Sequence, residues 1–244
     1  MNLPVIQGVI ERRILANYRL DPAAVARVLP APFRPKLANG YAIGGICLIR
    51  LNHERPRHVP SALGLKSENA AHRIAVEWDQ DGQSRQGVYV PRRDTDSRLN
   101  SFVGGTLFPG EYHHAEFRVA ESGDDYDIEI RSTDKQTHLE LRGTRVSELN
   151  ADSVFGNLAT GSKFFEGGAL GYSATRKGDR FDGMELCVKE WKVEPLQVTH
   201  VVSNFFDDEK RFPKGSVKFD CALLMRNIEH EWHARDVLLG GACV

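Results

Sequence analysis

From Arg73 to Trp78 apolar and polar residues alternate, with Ile74, Val76 and Trp78 on one face and Arg73, Ala75 and Glu77 on the other. A period of two over this length predicts a half-buried β-strand. Asp79–Gly82 supplies turn chemistry, and Gln86–Val90 returns as the partner strand before Pro91. Ala115–Val119, Tyr126–Arg131 and Thr137–Val146 repeat the pattern, separated by Ser122–Asp125 and Asp134–Gln136, which predicts an antiparallel meander. Tyr41–Leu48 reads as a buried strand kinked at Gly44 and Gly45, and strand-like runs return at Met184–Val193, Gln197–Phe206 and Ser216–Met225. Helices are few. Asp21 caps and Pro22 opens a helix that Pro30 and Pro32 stop, and a second is expected within Asp152–Phe165, where Val154, Phe155 and Leu158 share a face. Evenly spread strands without repeats or linkers predict one mainly β domain over residues 1–244, a barrel or a sandwich.

Composition narrows the function classes. Apolar residues make up 41% and charged residues 27%, ordinary values for a chain with a real core. The net charge of −1 and the scattered basic residues give no footprint for nucleic acid. Cys47, Cys187, Cys221 and Cys243 form no CxxC pair, so no zinc knuckle or redox motif is expected. Met1–Gly8 lacks the charged and long apolar regions of a signal peptide, and no apolar run reaches the ~20 residues of a membrane span. The expected location is the cytoplasm.

Five stretches, in order along most of the chain, together resemble one family. They are Asp21–Pro30, Gly64–Trp78, Gln86–Arg93, Gly104–Ala115 (GGTLFPGEYHHA) and Lys163–Ser173, with its Phe-Phe, glycine and Tyr-Ser pattern. This set is similar to the acetoacetate decarboxylase-like superfamily, and in particular to its YqjF-like branch. The resemblance implies an antiparallel β barrel or cone with an internal cavity, a few short peripheral helices, a small-molecule ligand and a homo-oligomer. It does not carry the decarboxylase reaction with it, because related folds change chemistry freely.

One departure bears on that reaction. Decarboxylation through a Schiff base needs a lysine amine that is unprotonated near neutral pH, which burial and a neighbouring cation achieve by lowering its pKa by about 3. In the decarboxylase two adjacent lysines follow a Gly-x-Pro. Here Pro109 is followed by Gly110 and Glu111, and no lysine occurs between Lys66 and Lys135. The expectation is a site that works without an imine at this position.

The candidate site residues are therefore polar groups near the family-like stretches. Glu68 and His72 are the expected acid/base pair, since a histidine near pKa 6.5 trades protons at neutral pH. Arg73, Tyr89, Arg92, His113 and His114 are the expected substrate contacts, an arginine gripping a carboxylate in bidentate fashion. Arg93 shares the reading of Arg92, with a solvated strand end as the plainer alternative for both. Strand geometry limits the set: His72 shares the face of Ile74 and Arg73 the opposite one, and only one of His113 and His114 can point inward. No metal or other cofactor is expected. His230–Glu–Trp–His233 lacks the HExxH register, and His53 and His58 flank a proline-rich loop without a third ligand. GxSxG and GxxxxGK[ST] are both absent. The expected function is binding of a small organic acid or carbonyl compound, with proton transfer as the reaction if there is one. The alternative is a non-catalytic module for an apolar or amphiphilic ligand.

Overall fold

The computed structural model of the chain describes residues 4–97, 110–175 and 180–239. The alternating run around Ile74 belongs to a long hairpin. Strand β5 (Leu65–Gln80) turns at Asp81 and Gly82, both with positive φ (52° and 72°), into β6 (Gln83–Thr95). Paired positive φ values match the right-handed twist of the flanking strands, and Asp-Gly is the sequence that tolerates them. Because β6 runs on to Thr95, Arg92 and Arg93 lie within a strand and face opposite ways.

Upstream of the hairpin lie β1 (Ile6–Leu20), α1 (Pro22–Val28), the short β2 (Arg34–Pro35) and β3 (Leu37–Ala38), and β4 (Tyr41–Pro56). Asp21 caps α1 through Oδ1, which accepts from Ala24 N at 2.8 Å. Downstream come the meander β7 (Tyr112–Ser122), β8 (Asp125–Ser132) and β9 (His138–Arg145), then α2 (Leu158–Glu166). Strands β10 (Leu170–Ala174), β11 (Arg180–Val188), β12 (Glu194–Ser203) and β13 (Val217–Leu239) complete the described elements. Helix α2 starts later than expected. Gly156 takes φ 71°, which ends any helix before it, and Asn157 caps the new start by accepting from Thr160 N. The stretch before it is a turn tied to buried Asp220, whose carboxylate accepts from Ser153 Oγ (2.7 Å) and Val154 N (3.0 Å).

All described strands join one mixed sheet that closes on itself. One circuit runs β13–β1–β4–β5–β6–β10–β11 and returns to β13, because β6 pairs parallel with β10 and β11 pairs antiparallel with β13. A second circuit leaves β6 through β7, β8, β9 and β12 and also returns to β13. The strands from β13 through β1 and β4 to β5 are shared, so both of their faces are covered. Ile14, Ala16, Ile46, Leu48, Ile74 and Val76 pack on one side; Leu15, Ile43, Cys47, Ile49, Leu223 and Met225 pack on the other with Phe155 and Phe165. Burial on two faces explains why β1, whose burial alternates from Ile6 to Arg13, is apolar and buried at every position from Ile14 to Ala16. The architecture is mainly β with two described helices at its periphery.

Candidate functional site

A cavity of about 210 Å3 opens inside the first circuit, on the side of the shared strands that carries Cys47 and Leu223. Its floor follows from register. Cys47 pairs with Ala71, Ala71 with Arg93, and Arg93 with Tyr112, so these four side chains form one row across β4, β5, β6 and β7. Residues directly opposite in paired strands point the same way, and the small Ala71 at the middle of the row leaves the hollow. Arg13 stands one step along, opposite Ile49, and Arg73 stands opposite Gly45. Apolar walls come from Leu51, Val88, Val90, Met184, Leu186 and Trp232.

The polar lining is mostly cationic. Arg73 is 7% exposed, and its Nη2 donates to Asn17 Oδ1 at 2.5 Å while its guanidinium lies 5.0 Å from the Phe165 ring centre. Burial pushes this guanidinium down to about 10; the Cys47 sulfur opposes the shift and the charge of Arg13 adds to it. Gly45 is what lets Asn17 sit there, since a Cβ at 45 would lie 2.5 Å from Ala16 O and 3.1 Å from Asn17 Oδ1. Arg13 donates Nε–H to Cys47 Sγ at 3.2 Å and lies over Trp191, and Arg93 donates to Ser173 Oγ at 3.1 Å. Among the described residues no carboxylate lies within ion-pair distance of Arg13, Arg73 or Arg93. The Nε atoms of Arg73 and Arg93 are buried without a hydrogen-bond partner. A buried cation without a counter-charge is expensive, so this lining is suited to an anion.

One carboxylate, Glu54, also lines the cavity, and among the described residues it forms no ion pair with the arginines. Its Oε1 lies 2.7 Å from Nε2 of fully buried His230, a close contact whose angles fall short of a hydrogen bond. The two residues sit on β4 and β13, on either side of β1, and they meet across Gly8, which pairs with His230. A Cβ on Gly8 would fall 2.5 Å from Glu54 Oε1, so the missing side chain is what admits the contact. Carboxylate and imidazole together can take up and release a proton.

Of the seven residues expected as acid/base pair or substrate contacts, the structure brings Arg73 to the cavity wall, and Arg93, weighed beside Arg92, joins it there. Glu68 accepts from Arg12 Nη2 (2.6 Å) and Arg50 Nε (2.5 Å), and Glu121 completes this partly buried network. His72 lies on the opposite face of β5, stacked on Phe205 at 4.6 Å between ring centres, with neither ring nitrogen bonded. Burial, aided by Arg92 and Arg211, pushes its imidazole down to about 3. Tyr89 packs against Phe33 and Phe181, and Arg92 is held by Asp94 and Asp134. His113 contacts Asp134 at 3.3 Å and His114 contacts Thr133 at 3.0 Å. The family-like stretch from Gly104 to Pro109 lies outside the described residues. The lining contains no lysine among the described residues, and it adds Arg13, Cys47, Glu54, Arg93 and Tyr112, of which sequence reasoning weighed only Arg93 for this role. For a metal, the described residues bring together Glu129, His138 and Glu140 outside this cavity, their ligand atoms within 4.8 Å of one another. Protein groups already face both carboxylates: Arg131 and Arg118 pair with Glu129, and the imidazoles of His138 and His200 contact Glu140.

The double circuit of strands beside this cavity places the chain in the acetoacetate decarboxylase-like fold class. It is similar to acetoacetate decarboxylase from Legionella pneumophila subsp. pneumophila str. Philadelphia 1 (TM-score 0.61, 12% identity, covering 98% of this chain and 88% of that one). It is also similar to the enduracididine biosynthesis enzyme MppR complexed with pyruvate (TM-score 0.60, 11%, 98% and 91%). An acetoacetate decarboxylase-like enzyme from Sphingomonas wittichii RW1 superposes as well (TM-score 0.58, 12%, 98% and 93%). At these identities the likeness is one of fold. No curated protein matches the sequence. Residues 9–216 match the family DUF2071, described as an uncharacterized conserved protein (COG2071), and the chain belongs to that family.

Proposed function

We propose that the cavity binds a small organic acid or carbonyl compound whose carboxylate sits among Arg73, Arg13 and Arg93. The observation that carries this reading is Arg73, a buried cation on the cavity wall whose side-chain oxygen partner is a neutral amide. Removing a guanidinium from water costs several kcal/mol, and an incoming carboxylate returns that cost with charge-assisted hydrogen bonds. The volume fits a compact acid with a short apolar body against Val88, Val90 and Met184. That MppR has been solved with pyruvate adds weight to the acid as a ligand class for this fold. If the site is catalytic, Glu54 backed by His230 is the group that moves a proton at the bound acid, and no imine is required.

A panel of mono-, di- and 2-oxo-carboxylates, screened by thermal shift and followed by calorimetry at pH 7, tests the reading. At least one acid is expected to bind, with Arg73→Met weakening it by at least about tenfold, or 1.4 kcal/mol. A folded protein whose melting temperature no member of the panel changes would remove the proposal. The apolar walls favour a second reading, a non-catalytic module for an amphiphilic acid; it predicts binding that strengthens with chain length and no solvent proton exchange at the ligand's α carbon.

A further inference from the structure

The cavity wall presents a cysteine between arginines. Cys47 lies on β4 between β1, which carries Arg13, and β5, which carries Arg73, and all three side chains occupy one face. The Arg13 Nε–H points at the sulfur at 3.2 Å. An independent feature of the same wall looks for a ligand: Arg73, more than nine-tenths buried, has an Nε without a partner. Reactive cysteines sit in electropositive surroundings that a reagent can reach, whereas buried structural ones are inert; Cys47 is 8% exposed, and it lines the cavity. Cys221 belongs to the same apolar cluster as Cys47 but does not reach the cavity, and burial pushes its thiol up to about 12.

We propose that Cys47 is a nucleophile that adds to the carbonyl carbon of a 2-oxo acid whose carboxylate is held by Arg73 and Arg13. The inference rests on the organic-acid reading of the cavity and goes beyond it in naming the covalent step. The sulfur forms a bond to the carbonyl carbon, the C=O π pair moves onto oxygen, and the thiol proton ends on that oxygen. The product is a thiohemiketal; nothing leaves, and no oxidant or reductant takes part. The arginines keep the acid in place and stabilise the negative charge that develops on the carbonyl oxygen during the addition.

Two alkylating reagents of similar size and opposite charge character test this directly. Iodoacetate carries a carboxylate and iodoacetamide does not, and peptide mass spectrometry reads the rate at each cysteine. Cys187 is the internal reference: it is half-buried, and two carboxylates, Glu185 and Glu231, face it against one cation, Arg235. The iodoacetate-to-iodoacetamide rate ratio is expected to be at least about tenfold higher at Cys47 than at Cys187, a modest return for charges a few Å apart. The ratio should fall when acetate saturates the site, and Cys47→Ser should abolish the fast phase without changing the fold. With [2-13C]pyruvate, the carbon signal of the bound acid should move from the ketone region to the tetrahedral region in wild type and stay put in Cys47→Ser. A Cys47 that resists both reagents, or that shows the ratio of Cys187, overturns the nucleophile. If carboxylates still raise the melting temperature in that case, the organic-acid reading stands alone; if they do not, both fall.

Discussion

Arg73 is held by an amide: its Nη2 donates to Asn17 Oδ1 at 2.5 Å, and Asn17 in turn donates to Leu15 O at 2.9 Å. The contact fixes the guanidinium's direction and leaves its charge intact. A carboxylate at position 17 would neutralise Arg73 from within the fold and compete with any bound acid. Asn17→Asp is therefore expected to cut affinity for a carboxylate by at least about tenfold, while Asn17→Ser keeps most of it. Calorimetry on the acid found in the panel screen compares the two variants, and equal loss in both would mean that Asn17 only positions the arginine.

Glu68 belongs to a different structure from the cavity. It joins Arg12, which is 2% exposed, to Arg50, with Glu121 as the second acid of the cluster. Breaking such a pair leaves buried positive charge short of a partner, so Glu68→Gln should cost about 2–3 kcal/mol in urea unfolding. The folded fraction should still bind the acid with unchanged affinity. A variant that keeps full stability and loses binding would instead tie Glu68 to the site.

Glu54 and His230 meet because position 8 has no side chain. Adding a methyl group there, Gly8→Ala, sets a Cβ against Glu54 Oε1 and within 2.9 Å of Asn52 O. The expected cost is about 1–3 kcal/mol. If the carboxylate is the main obstacle, Gly8→Ala should cost about 1 kcal/mol less in a Glu54→Ala background. Thermal melts of the four proteins complete the cycle, and strict additivity would place the clash on the Asn52 carbonyl.

How far the sequence shows all this depends on what each feature is made of. Local features were legible: the hairpin at Asp81–Gly82, the Asp21 cap, the meander and the opposite faces of His72 and Arg73 each depend on a few neighbouring residues. The acetoacetate decarboxylase-like fold was legible through a set of short stretches in order, and structural similarity bears that out. The cavity lining was mostly hidden, because it is assembled across strands. Arg13, Cys47, Arg73 and Arg93 come together only when β1, β4, β5 and β6 are placed in register, and a slip of one residue would turn Arg92 inward in place of Arg93. His230 and Glu54 are further apart still, joined only through β1 between them. A residue's polarity and its place beside an apolar run say that it is near a core, and not which of two cores it faces.

His72 turns that ambiguity into a measurable property. Its ring is buried against Phe205 near Arg92 and Arg211, and its pKa is about 3, below the ordinary value of 6.5. Between these values the native protein leaves the imidazole neutral while the unfolded chain binds a proton. The unfolded state thus binds more protons, so stability rises with pH through this window. The contribution is complete above about pH 6.5 and is lost as pH falls, by up to about 1.4 kcal/mol per pH unit. His72→Leu removes the titrating group and keeps an apolar side chain against Phe205. Going from pH 6.5 to 4.5, wild type should lose about 2 kcal/mol more stability than His72→Leu. Urea unfolding at several pH values measures the difference, and parallel pH profiles for the two proteins would show that His72 accepts its proton in the folded state.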